Sequence, residues 1–141
     1  MVQYGEPVRP VKEVEAVGME VSPKGETIID FGQNLAGVLR VKVDLPAGTK
    51  LILDHFETKD SQGNYFNNIA GADMTGHTQT DVYISNGKPA EYRPHFTYHG
   101  FRYVRVICDA PVKPEDFTAV AHAGQFWARD KAVSYTHLTL P

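Results

Sequence analysis

The chain carries one cysteine in 141 residues, Cys108. That excludes an internal disulfide and any all-cysteine metal cluster. Cys108 falls in the apolar pattern of Val104, Val106 and Ile107, where a buried, inert thiol is expected rather than a nucleophile. No apolar run approaches the roughly 20 residues a membrane-spanning helix needs. The formal net charge of −3 is too small to make nucleic acid or an anionic membrane a main partner. Sustained helical periodicity is missing, with only a turn signal near Pro114-Glu115-Asp116. A Gly-x-Ser-x-Gly elbow, a glycine-rich phosphate loop and an Asn-x-Ser/Thr acceptor are all absent, so the sequence names no nucleophile, nucleotide or glycan-attachment site. There is no internal repeat.

What remains is the composition of an ordinary globular domain, 42% hydrophobic and 22% charged, long enough to enclose a core. Short apolar stretches alternate with turn residues. Residues 1–10 are punctuated by Pro7 and Pro10 and read as an extended lead-in from a preceding domain. The first seven residues have neither a basic nor an apolar leader-like region, and the compartment is left open.

Val11 to Val21 contains an extended stretch before the turn Pro23-Lys24-Gly25, and Glu26 to Phe31 is a short apolar run closed by Gly32. From Val38, Leu39, Val41, Val43 and Leu45 alternate with Arg40, Lys42 and Asp44, the pattern of a strand buried on one face. Lys50 to Glu57 is apolar on both faces, as an interior strand would be. Gln79 to Ser85 ends at Asn86-Gly87, a strong hairpin signal. Ala90 to Tyr98, Phe101 to Cys108 and Phe117 to His122 complete the series. Such spacing predicts an all-β antiparallel fold, a sandwich or a barrel, over residues 11–122.

Several constellations carry side chains capable of chemistry. Asp60-Ser61-Gln62-Gly63-Asn64 is oxygen-rich, but Tyr65 and Gly71 stand where a helix-loop-helix calcium site needs glycine and a bidentate acid. With Asn67, Asn68 and Asp73 it is expected to be a structural loop. His55, His77, His95, His99 and His122 show no close pairing, and His95 and His99 would stand about 13 Å apart on a strand. No metal site and no cofactor are expected. Asp54, Glu57, Glu91 and Asp109 lie on or beside strands, with nothing to mark two as a catalytic pair, so no catalytic residue is assigned. Aromatic residues concentrate from Tyr92 to Tyr103. Large rings are usually buried, so Phe96, Tyr98, Phe101 and Tyr103 are expected to fill the core, with Gly100 allowing a bulge that resets the strand's phase. Should the segment meet sugar instead, Tyr98, His99 and Arg102 are the candidate contacts.

Four segments, in order, carry a resemblance: Gly25-Glu26-Thr27-Ile28-Ile29-Asp30-Phe31-Gly32-Gln33-Asn34-Leu35-Ala36-Gly37, Pro46-Ala47-Gly48-Thr49, Gln79-Thr80-Asp81-Val82-Tyr83 and Phe96-Thr97-Tyr98-His99-Gly100-Phe101-Arg102-Tyr103-Val104. Together they resemble the concanavalin-like β-sandwich domain of bacterial α-L-rhamnosidases. The resemblance implies a jelly-roll-type antiparallel sandwich that precedes an (α/α)6 barrel, where the catalytic carboxylates hydrolyse terminal L-rhamnose with inversion. It implies an accessory role for this chain, with the rest of its own enzyme as partner and rhamnose-containing glycans as a further partner. A self-standing carbohydrate-binding module and a purely structural domain are the alternatives. After His122 the match fades, so residues 123–132 are expected to be a truncated linker toward that barrel. Residues 133–141 resemble one reading frame of a transposon end used in preparing sequencing libraries, and are set aside as an artefact.

Overall fold

The computed structural model describes residues 7–67 and 79–124. The strands are β1 (Val8–Glu15), β2 (Gly18–Val21), β3 (Thr27–Val43), β4 (Lys50–Phe56), β5 (Thr80–Ile84), β6 (Ala90–Tyr92), β7 (His99–Cys108) and β8 (Phe117–Gly124). A single 3-10 turn, Pro114–Asp116, precedes β8. Strands pair in the order β1-β8-β3-β7-β4-β5, and β2 and β6 add to opposite ends of β3. Every pairing is antiparallel.

The sheet curls on itself through β3. The sequence reads as two strands here, Glu26 to Phe31 and Val38 to Leu45, whereas the structure has one bent strand. Its first half pairs with β2 and β7, and its second half with β8 and β6. Two glycines make the bend possible. Gly32 takes φ 76°, a left-handed value that costs glycine little, and its N–H donates to Asp30 Oδ1 at 2.7 Å. At Gly37 the strand is paired with both His99 of β7 and Ala121 of β8.

The inner faces of both halves share one core, including Ile29, Phe31, Leu39, Val41, Leu53, Phe101, Val104 and Phe117. Burying each such side chain is worth about 1.5–3 kcal/mol. The alternation expected from Leu39 to Leu45 is present, and all four inward residues are buried. Cys108 is only half-buried and packs against the edge of this core.

Asn86-Gly87 forms a turn, with Gly87 at φ 84°, but it does not close a hairpin. β5 pairs with β4 and β6 with β3, because the chain crosses between the two halves of the sheet here. Ser85 anchors that crossing by donating its hydroxyl to the Leu45 carbonyl at 2.8 Å.

The expected strand Ala90 to Tyr98 stops at Tyr92. Pro94 offers no N–H to a ladder, and Phe96 sits at φ 60°. Phe96 is therefore fully exposed and Tyr98 is 68% exposed, while Phe101 alone of the expected quartet is fully buried in the core. Tyr103 turns to the opposite face and stacks on Phe56.

The phase of β7 does reset, but not at Gly100. His99 and Phe101 face inward, and then Val104 and Val106 do. The reset falls at Arg102-Tyr103, opposite the segment between Asp30 and Leu35 of β3, and the extra residues lie on β3.

Candidate functional site

On β4, Leu51 and Leu53 face the core, and period two carries His55 inward after them. Asp81 of β5 is the register partner of Leu53, and His99 opens β7 one turn of the pleat before Phe101. Three polar side chains distant in sequence thereby meet inside the sandwich, all buried. The His55 and His99 rings stack with centroids 4.2 Å apart, and His55 meets the Phe101 ring edge-on at 4.8 Å.

Asp81 lies along both imidazoles. Its Oδ1 is 3.0 Å from His99 Nε2, and its Oδ2 is 3.8 Å from His55 Nε2. Gln79 holds the assembly at the edge. Its side chain accepts the Gly100 N–H at 2.7 Å and donates to the Gly100 carbonyl at 2.9 Å. Its own carbonyl accepts both the backbone N–H and the Nδ1–H of His55, each at 2.8 Å. Burial, and then the neighbouring His99, push His55 down to about 4, so the ring is neutral at pH 7.

The outer face of the same strands carries ion pairs. Arg105 donates to Asp54 Oδ2 from Nε at 2.9 Å and from Nη2 at 2.6 Å, and to Glu26 at 3.1 Å. Its guanidinium lies 3.8 Å from the centre of the Tyr65 ring. Thr80 caps the other oxygen of Asp54 at 2.6 Å. Arg102 pairs with Asp30 at 3.0 Å, and Lys59 with Glu20.

The candidates read from sequence do not converge. Tyr98 is exposed, His99 is inside with Asp81, and Arg102 is on the outer face with Asp30. Among the carboxylates, Asp54 is bound to Arg105 and Glu57 accepts from Asn34 at 3.2 Å, while Glu91 and Asp109 are exposed. The Asp60 loop is a turn in which Asp60 Oδ1 accepts the N–H groups of Gln62 and Asn64. Buried Asn64 accepts the Lys24 N–H and so pins that turn to the rest of the fold. Asn68, Asp73 and His77 lie outside the described residues.

Sequence spacing missed the His55–Asp81–His99 cluster because its members sit on three strands joined only by the fold. A signal did exist: His55 occupies the inward phase set by Leu51 and Leu53, where an apolar residue would be expected.

A family model described as "Bacterial alpha-L-rhamnosidase concanavalin-like domain" matches residues 20–122. The chain belongs to that family. It is 36% identical over 115 residues to an α-L-rhamnosidase of Streptomyces avermitilis, covering 81% of this chain and 11% of that protein. An α-L-rhamnosidase of Alteromonas sp. (strain LOR) is 32% identical over 83% of this chain and 13% of its own length. The crystal structure of the Streptomyces avermitilis enzyme complexed with L-rhamnose superimposes with a TM-score of 0.74 at 31% identity, over 85% of this chain and 12% of that one. The α-L-rhamnosidase of Dictyoglumus thermophilum gives 0.75 at 30% identity, over 86% and 14%. This concanavalin-like domain thus spans only 11–14% of the length of these relatives. Within it, the Asp-Phe-Gly-Gln-Asn segment forms the bend of β3, and His-Gly-Phe-Arg-Tyr starts β7 beside it.

Proposed function

We propose that this domain is a non-catalytic β-sandwich module of an α-L-rhamnosidase, supporting the catalytic barrel of that larger enzyme. The observation that carries the reading is the match to a concanavalin-like domain that makes up only 11–14% of the related enzymes, and four carboxylates of the described residues agree with it. Glycoside hydrolysis needs two carboxyl groups flanking the scissile bond, one of them held protonated by a raised pKa. Here Glu13, Glu26, Asp30 and Asp60 are all pushed the other way. Arg40 holds Glu13 below the usual carboxylate range. At Glu26 and Asp30 burial acts upward but is outweighed, at Glu26 by hydrogen bonds from the Tyr65 N–H, Ser22 and Arg105, and at Asp30 by Arg102 and the Gly32 N–H. The Asn64 N–H lowers Asp60. These are acceptors built into structure, suited to scaffolding.

The test is turnover of an aryl α-L-rhamnoside by the purified 141-residue chain. The expected rate is that of buffer alone. Hydrolysis that survives purification and disappears when one carboxylate here is replaced by its amide contradicts the proposal.

A second reading, a carbohydrate-binding module, draws on the exposed rings of Phe96 and Tyr98, since flat aromatic surfaces suit the apolar faces of sugars. Titration with L-rhamnose separates the two. Saturable binding lost in Tyr98→Ala with the fold intact favours this reading, and a flat titration removes it.

A further inference from the structure

Within the buried cluster, two acceptors face each other and, among the described residues, nothing donates to either. His55 Nδ1 carries its hydrogen to the Gln79 carbonyl, which leaves Nε2 with a bare lone pair. Opposite it stands Asp81 Oδ2, 3.8 Å away. Both atoms are buried without a hydrogen-bond partner. The two lone pairs repel, and leaving a buried polar atom unsatisfied costs about 1–3 kcal/mol. A cation reverses the sign of that interaction.

We propose that His55, Asp81 and His99 form a binding site for a divalent transition-metal ion of the zinc type, joining β4, β5 and β7. Two imidazoles and one carboxylate form a borderline-soft donor set, which suits zinc, whereas calcium and magnesium require oxygen ligands. Donor atoms of the three residues all lie within 4.8 Å of one another. Ligands on a tetrahedral zinc stand about 3.3 Å apart for bonds near 2.0–2.1 Å. The 3.0 Å from His99 Nε2 to Asp81 and the 3.8 Å from His55 Nε2 to Asp81 bracket that spacing.

The surroundings fit as well. A backbone carbonyl on the far nitrogen of a ligating histidine fixes its ring and tautomer, and Gln79 provides this for His55. One movement is required. The rings now stack at 28°, and His99 donates toward Asp81, so on loading the His99 ring turns and its hydrogen passes from Nε2 to Nδ1. Three protein ligands leave a fourth position for water.

The experiment uses the full 141-residue chain after EDTA treatment and buffer exchange, titrated with Zn2+ by calorimetry and with Co2+ by visible absorption. The expected result is one ion per chain, a d–d spectrum of tetrahedral intensity for Co2+, and a higher melting temperature with Zn2+ but not with Ca2+. His55→Gln and Asp81→Asn should each weaken Zn2+ binding at least tenfold, with far-UV circular dichroism reporting whether they fold. Absence of stoichiometric binding by the unsubstituted chain overturns the proposal, and that result needs no variant. Binding retained in a folded His55→Gln chain also overturns it, because it would then reside on surface histidines.

Discussion

Gly37 and Val120 are in backbone contact, and a Cβ built on Gly37 would lie 2.0 Å from the Val120 carbonyl oxygen. At this point β3 passes from β7 to β8, so the two halves of the sandwich depend on glycine there. Gly37→Ala is expected to destabilise the domain by about 3 kcal/mol or more, since neither neighbouring backbone can retreat without losing ladder bonds. Urea unfolding measures this. A change below about 0.5 kcal/mol, the range of ordinary surface substitutions, would disprove the account of the bend.

The aromatic segment divides sharply by phase. Phe101, in contact with Phe31 and His55, should lose about 3–5 kcal/mol on truncation to alanine. Phe96→Ala should stay within about 0.5 kcal/mol, because its ring is in solvent. Equal losses at the two positions in chemical denaturation would show that the segment is placed wrongly.

Asp54 is buried, whereas its partner Arg105 is about a quarter exposed. Asp54→Ala leaves Arg105 with Glu26 as its ion-pair partner and strands the Thr80 hydroxyl, at an expected cost of about 2 kcal/mol, less than for a fully enclosed pair because Arg105 reaches water. Arg105→Met, which strands the buried Asp54 carboxylate and takes a partner from Glu26, should be more damaging than Asp54→Ala. The reverse order in thermal melts would contradict this balance.

Acid should weaken the metal-free domain in two stages. The His55 ring releases its proton at about 4 when folded and near 6.5 when unfolded. Between those values the unfolded chain binds more protons, so stability falls as pH falls from about 6.5 toward 4. Glu26, held low against burial chiefly by the Tyr65 N–H and Ser22, and Asp30, held low against burial chiefly by Arg102, contribute stability above their unfolded values that is lost as pH drops below about 4. Melting temperatures between pH 3 and 8 in EDTA should show this, and His55→Gln should flatten the upper stage. A midpoint that rises on acidification across pH 6.5 to 4 would contradict the assignment.

The all-β character was legible because Leu39 to Leu45 carries its phase in local sequence and Lys50 to Glu57 reads as a short interior strand. The bend joining Thr27 to Val43 was not, because Gly32 reads as the end of a strand until the pairing partners on either side of it are known. Tyr98 was misplaced for a related reason: Pro94 and the left-handed Phe96 set it outside a ladder that composition alone extends through it. The His55–Asp81–His99 cluster depends on registers between β4, β5 and β7 that no single segment encodes. The family words are continuous in sequence, one at the bend of β3 and one at the start of the adjoining strand β7.

The supporting role of the domain is tested most directly by a chimera. In the α-L-rhamnosidase of Streptomyces avermitilis, the matching segment is either deleted or replaced by residues 7–124 of this chain, and aryl rhamnoside hydrolysis is measured. The account predicts that deletion abolishes activity through loss of folded enzyme and that the replacement restores it. A deletion that leaves a stable, fully active enzyme would contradict the account.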